Sequence, residues 1–278
     1  MHDCLIDGEI VSQLPVSDRA FLYGHGVFET IACESASPIF WQQHFSRLRE
    51  GCTRLGLEMP SETVLLRELQ TVCAGKQFSV VRITLSAQGG TRGYSAHPAG
   101  AASPVRRTVI CHPWPMEVEL LRLKGIELPI ADYRLPHNRK LAAIKHCNRL
   151  DQVITASEPA VREAGEGIML DQEDYVISSV SANIFLVSGD QLITPRMDRC
   201  GIHGVTRSVI LQAFAHRCEK RRVTLDLLRE ADEVFLCNSV RGIWPVTRIG
   251  NWNFEIGQVT REVQDWLGSQ SRLLAKPA

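Results

Sequence analysis

Only six of the 31 basic residues are lysines, and one of the six stands apart. Lys76, Lys124, Lys140, Lys220 and Lys276 lie in polar or turn-like surroundings, whereas Lys145 follows the apolar stretch Leu141-Ala142-Ala143-Ile144. An amine among apolar groups loses the solvation of its charged form, so it sheds its proton more readily and turns nucleophilic near neutrality. That is what a Schiff-base lysine requires. The alternative is a lysine whose stem covers apolar surface while its ammonium stays wet.

A second segment, Cys200-Gly201-Ile202-His203-Gly204-Val205-Thr206-Arg207, joins an expected strand to an expected helix. Its glycines permit close backbone approach, and a helix start offers unpaired N–H groups at a positive dipole end, which together make a phosphate cup with the Thr206 hydroxyl added. A plain strand-turn-helix connection reads the same way. The P-loop lysine is missing, so a nucleotide triphosphate is not indicated. Arg47, in His44-Phe45-Ser46-Arg47-Leu48, and Ser239, ending Phe235-Leu236-Cys237-Asn238-Ser239, are further candidates for holding an anion, and each reads equally as an ordinary helix arginine or strand end.

These residues need elements to carry them. Asp7-Gly8 between Cys4-Leu5-Ile6 and Glu9-Ile10-Val11 predicts a tight hairpin, and Phe28–Ala32 with Pro38–Trp41 a second strand pair. Phe45, Leu48, Cys52 and Leu55 recur at helical spacing, and Ser61 caps another helix carrying Val64, Leu65, Leu66 and Leu69. Phe78–Leu85 reads as a strand running into the glycine-rich loop Gln88–Tyr94, and Arg107–Cys111 as the last strand of this half. His112-Pro113-Trp114-Pro115-Met116 breaks regular structure. Beyond it come a strand at Ile126–Ile130, a helix with Leu150, Val153 and Ile154, four short strands between Gly167 and Thr194, and a helix at Val205–Cys218. Strands at Val223–Leu227, Glu233–Cys237 and Ile243–Val246 and a helix at Gly257–Leu267 close the chain. The expectation is two α+β domains, residues 1–112 and 120–278 with a linker at 113–119, the second carrying Lys145.

With 278 residues, 44% of them hydrophobic, the chain can fill such cores, and 31 acidic against 31 basic residues argues against nucleic acid or an anionic membrane as partner. No apolar run reaches a membrane span, and Met1-His2-Asp3-Cys4 lacks the layout of a secretion signal. Nine scattered cysteines without a C-x-x-C pair read as reduced thiols of a cytoplasmic protein. The nine histidines show no metal-ligand spacing, so no metal is expected.

Taken together, these segments are similar to those of the fold-type IV pyridoxal-phosphate enzymes, the D-amino-acid and branched-chain aminotransferase-like family. The resemblance runs over nearly the whole chain: Ser17–Ala20, Tyr23–Thr30, His44–Leu48, Gly90–Tyr94, Ile144–Leu150, Ser181–Phe185, Cys200–Arg207 and Asp232–Ser239. It implies pyridoxal 5'-phosphate bound in an interdomain cleft of a homodimer acting on a small molecule. Lys145 then resembles the Schiff-base lysine, and Arg47, the backbone at Val205 and Thr206, and Ser239 resemble the phosphate clamp. Lys-His-x-Asn-Arg-Leu and Gly-Thr-Arg-Gly-Tyr lean toward the lyase branch, in which an enolpyruvyl group leaves and pyruvate and an aromatic amine result. Transamination on the same fold, or a cofactor-binding chain without activity, are the rival readings. Arg92 and Tyr94, with Arg241 and His25, are the candidates for receiving the substrate and its carboxylates.

Two departures from the family pattern stand out. A glutamate usually lies five residues before the Asn of Ser-x-Asn-x-Phe, facing the cofactor's ring nitrogen; here that place is Ser178. A hydroxyl cannot hold the nitrogen protonated by charge, so the ring should be a weaker electron sink, which favours elimination over transamination. His25 stands where an aspartate is common.

Overall fold

The computed structural model describes residues 3–11, 13–88, 93–96 and 101–275. Contacts divide the chain into two compact units, residues 1–114 with 144–148, and residues 115–143 with 149–278. The segment Ile144–Asn148, expected within the C-terminal domain, therefore packs with the first unit. The reason is a non-local backbone pairing described below.

The first unit contains β1 (Cys4–Ile6), α1 (Arg19–Tyr23), β2 (Gly26–Glu34), β3 (Ser37–Pro38), α2 (Trp41–Leu55), α3 (Glu62–Cys73), β4 (Phe78–Ala87) and β5 (Val105–Pro113). Its strands form an antiparallel sheet in the order β1-β5-β4-β2-β3. The apolar stripes of the helices, Leu48 and Cys52 on α2 and Leu65 and Leu69 on α3, close one core with Ile31, Val81, Ile83 and Leu85 of the sheet. Ser61 caps α3 as expected, accepting the Val64 N–H. Asp7 and Gly8 both adopt positive φ, as a type I′ turn requires, and Ile6 and Glu9 exchange backbone hydrogen bonds across them. The hairpin goes no further, because β1 ladders onto β5 instead and Ile10 is left exposed. Trp41, expected in a strand, opens α2 after Phe40 turns the chain at φ 53°.

The second unit contains α4 (Val118–Lys124), β6 (Ile126–Leu128), β7 (Ile130–Leu135), α5 (Leu150–Ser157), α6 (Pro159–Ala164), β8 (Ile168–Asp171), β9 (Val176–Ser179), β10 (Asn183–Ser188) and β11 (Gln191–Pro195). It continues with α7 (Val205–Ala213), β12 (Cys218–Arg221), α8 (Leu225–Arg229), β13 (Glu233–Asn238), β14 (Gly242–Ile249), β15 (Trp252–Asn253) and α9 (Gln258–Gln270). One mixed sheet runs β12-β11-β10-β13-β14-β15 with β6 beside β14, and a smaller one runs β7-β8-β9. The single strand expected at Ile126–Ile130 is two strands in different sheets, parted at Pro129, which has no N–H to donate to a ladder. Val223–Leu227 is not a strand, because the Thr224 hydroxyl accepts the Leu227 N–H and starts α8. The four short strands between Gly167 and Thr194 are present.

The α+β class is evident in both units. Among the described residues no helix is long and apolar enough to cross a membrane, and no disulfide links the nine cysteines. At the centre of the larger sheet Phe185 and Phe235 sit opposite each other in register and stack with centroids 5.1 Å apart. Both are fully buried. Phe235→Ala should lower stability by about 3–5 kcal/mol in a denaturant titration; a loss below about 1 kcal/mol would mean the stack does not organise this sheet.

Candidate active site

Lys145 is placed by backbone pairing. The Phe28 N–H donates to the Lys145 carbonyl and the Cys147 N–H to the Gly26 carbonyl, each at 2.9 Å, so residues 145–147 lie against the start of β2 as a short antiparallel bridge. The amine is thereby held over the ring of Phe28, its Nζ 4.4 Å from the centroid. Ile144 beside it is fully buried and Lys145 itself half-buried. The same ring carries a second cation. The Arg82 guanidinium lies 3.8 Å from the Phe28 centroid and donates from Nε to Thr84 Oγ1 at 3.3 Å. Burial pushes the Arg82 pKa down, and among the described residues no carboxylate pairs with it. A half-buried cation without an anion calls for one from outside. The sequence reading missed Arg82, whose only local signal was a charge on an otherwise apolar strand.

Next to Phe28 on β2, Glu29 is the hub of a buried charge network. Arg47 grips it two-pronged, Nε to Oε1 at 2.7 Å and Nη2 to Oε2 at 2.5 Å, and His44 Nδ1 donates to Oε2 at 2.6 Å. Burial alone would raise the Glu29 pKa, but the Arg47 and His44 charges and hydrogen bonds outweigh it and hold it at about 2. His44 is pushed below its ordinary value by burial, against the pull of Glu29, and its Nε2 has no partner. Arg47 is thus oriented by Glu29, a partner that only the strand-helix packing supplies.

The second unit supplies the turn read as a phosphate cup. Asn183, at the start of β10, donates from Nδ2 to the Ile202 carbonyl at 3.0 Å and accepts the Gly204 N–H on Oδ1 at 3.0 Å, fixing the turn before α7. Gly204 must be glycine, since a Cβ there would lie 2.0 Å from Asn183 Oδ1, and Gly201 turns the chain at φ 84°. Gly204 caps α7 with no side-chain hydrogen bond, so no side chain takes the first-turn N–H groups of Val205 and Thr206. The Thr206 hydroxyl is completely buried and has no partner. Arg207 anchors the helix, donating to Thr194 Oγ1 and the Pro195 carbonyl. Ser239 lies in the turn after β13, which Asn238 closes by accepting the Val240 and Arg241 N–H groups.

The remaining candidates divide. Ser178 is buried on β9 opposite Met169. Glu173 pairs in an exposed turn with Arg199 and Arg222, and so does not stand in for the missing glutamate. A buried carboxylate that the sequence reading did not single out is Glu166, which accepts the Ser181 N–H and hydroxyl and faces Arg241 Nη1 at 3.5 Å. Arg241 is further engaged by Glu117 and Ser181, which leaves it poorly placed to receive a substrate. His25 has both ring nitrogens in use, Nε2 donating to the Leu55 carbonyl and Nδ1 accepting from Arg19. Arg19 also holds the Gly93 and Tyr94 carbonyls, and Tyr94 meets Tyr23 edge-on while 90% exposed. Arg92 lies outside the described residues.

With this geometry in place, the chain compares clearly with known proteins. Residues 26–249 match the model of the amino-transferase class IV family. An aminodeoxychorismate lyase from Vibrio harveyi is 30% identical over 93% of this chain and 97% of its own length. The crystal structure of 4-amino-4-deoxychorismate lyase from Pseudomonas aeruginosa superposes with a TM-score of 0.88 at 36% identity, covering 96% of this chain and 98% of that one. A D-alanine aminotransferase from Staphylococcus epidermidis is 24% identical over 95% of this chain and 96% of its own length.

The Glu29 network has a measurable consequence. In the folded chain this carboxyl stays ionised down to about pH 2, against an ordinary 4.5. Its contribution is therefore full above pH 4.5 and is lost as pH falls toward 2, an amount on the order of 3 kcal/mol. His44 acts in the same direction, because burial opposes its protonated form. Glu29→Gln should be less stable than the wild type at neutral pH, yet lose less stability between pH 5 and pH 2. Urea titrations across that range check this, and a slope equal to the wild type's would remove Glu29 from the explanation.

Proposed function

The chain belongs to the amino-transferase class IV family, and we propose that it is a pyridoxal-phosphate-dependent lyase converting 4-amino-4-deoxychorismate to 4-aminobenzoate and pyruvate. The observation that carries this reading is the near full-length likeness to lyases of that specificity, closer than to the D-alanine aminotransferase.

The residues fit the cofactor. A dianionic phosphate finds unclaimed donors where Gly204 opens α7, and the orphaned Thr206 hydroxyl gains a partner there. Ser239 and Arg47 complete the clamp, Arg47 turned to the task by Glu29. Bound pyridoxal phosphate supplies an aldehyde that an amine can join and a ring that withdraws electrons from the neighbouring carbon. Lys145 would provide that amine and, in its free form, would take up the proton from the substrate carbon that bears the amino group. The Phe28 face and Ile144 keep water from the Lys145 amine. Arg82, on the other part of the same ring, receives a substrate carboxylate in place of Arg241. Ser178 would offer the ring nitrogen a hydroxyl and no charge. Elimination that yields an aromatic product has a driving force of its own and tolerates this weaker sink, whereas amino exchange does not.

The enzyme works as a cytoplasmic homodimer. In its support, α1 and the segment before it expose Val16, Phe21 and Leu22, an apolar patch suited to a second copy.

Release of pyruvate from aminodeoxychorismate by the purified protein tests the reaction; amino exchange with a 2-oxo acid and no pyruvate would replace lyase by aminotransferase, and neither would make the chain a cofactor-binding relative. The protein should be yellow, with borohydride fixing the cofactor to Lys145, and Lys145→Ala should lose both colour and at least about 10³-fold in kcat. Arg82→Gln should lower kcat/KM about 10–100-fold, mostly through KM, and an unchanged value would dismiss its carboxylate role. Ser178→Glu should gain amino exchange relative to lyase turnover; absent exchange together with slower lyase chemistry would refute the part given to Ser178.

A further inference from the structure

Away from these groups, the second unit gathers three donors that the reaction does not use. His137 follows β7, Asp171 ends β8, and Cys200 lies just before the Gly201–Thr206 turn. One ligand atom from each lies within 4.8 Å of the others, and His137 Nε2 already meets Asp171 Oδ2 at 3.0 Å. A tetrahedral ion with bonds of about 2.0–2.3 Å holds its ligand atoms roughly 3.3–3.7 Å apart, so closing this triangle takes side-chain adjustments of about an ångström.

We propose that His137, Asp171 and Cys200 form a binding site for one zinc-class divalent transition-metal ion, with water in the fourth position. The donor set selects the ion. Thiolate and imidazole suit zinc and its neighbours, whereas calcium and magnesium take oxygen ligands throughout. The carboxylate is held ready from behind, as metal-ligating carboxylates are: Asp171 Oδ1 accepts the Glu173 N–H at 2.9 Å and the Tyr175 N–H at 3.0 Å, leaving Oδ2 for His137 and the ion. The His137 backbone N–H donates to Gln172 Oε1. A cavity bordered by Asp171, Asp198, Arg199 and Cys200 gives an ion a way in. Three arginines, Arg196, Arg199 and Arg222, border that cavity beside Asp171 and Asp198, and Arg199 and Arg222 share the Glu173 carboxylate.

The ion would join three segments that backbone hydrogen bonds already bring together. Asn138 N–H donates to the Arg199 carbonyl, Ala143 N–H to the Gly201 carbonyl and His203 N–H to the Ala143 carbonyl. Because Cys200 adjoins Gly201, metal binding fixes the start of the turn that leads into α7, a positioning effect independent of which reaction the enzyme performs.

Cobalt(II) titration of the tag-free, cofactor-loaded chain is the direct test. The expected result is a near-ultraviolet sulfur-to-cobalt band and tetrahedral-intensity visible bands that saturate at one equivalent per chain and disappear on adding zinc. Cys200→Ser should abolish the sulfur band, and His137→Gln should weaken cobalt binding at least about tenfold. No sulfur band in the wild type, the same band in Cys200→Ser, or an unchanged affinity in His137→Gln would each overturn the site. Should Cys200→Ser fail to fold, the half-exposed His137 variant decides the question alone.

Discussion

Two backbone hydrogen bonds set the position on which the rest of the chemistry depends. Phe28 N–H to Lys145 O and Cys147 N–H to Gly26 O draw a five-residue segment out of the second unit's sequence and lay it on β2 of the first. Once that bridge forms, the amine has little choice of place: its stem runs along the apolar face of Phe28, and Arg82 shares the ring. Two cations meet one aromatic ring, and both are half-buried. A site of this kind is poised to accept carboxylates.

The same strand carries the second constraint, Glu29. A carboxylate this deeply buried is tolerable only because Arg47 and His44 saturate it, and in saturating it they are themselves fixed. Arg47 is therefore a preorganised cation and not a mobile surface arginine. In the second unit the same ordering is reached through hydrogen bonds to neutral acceptors. Asn183 shapes the Ile202–Gly204 turn, Arg207 pins α7 to β11, and the donors left over at the helix start are the ones an anion needs.

In the proposed lyase, a hydroxyl at position 178 would leave the cofactor's ring without the charge control that a carboxylate gives. Glu166 does not restore it, because Ser181 and Arg241 already occupy its oxygens. Such a site would favour a reaction whose product is stabilised by its own aromaticity.

Local pattern made a large part of this legible. The periodicities of α2, α3 and α9, the Ser61 cap, the Asp7-Gly8 turn and the glycine spacing of the α7 entry are written in adjacent residues, and each element formed as its local chemistry dictates. Lys145 and Thr206 were likewise marked by type and spacing, and Ser178 by the family resemblance alone. The structure alone decided which groups meet across the chain. Pairing of Ile144–Asn148 with β2, Arg82 beside Lys145, Glu29 beneath Arg47, the full engagement of Arg241 and the His137–Asp171–Cys200 triangle all join residues far apart in sequence. Sequence by itself determines what each short stretch can become, because turns, caps and helix faces depend on near neighbours; charge partners and pocket walls depend on how strands from distant parts of the chain come into register, which only the packed fold settles.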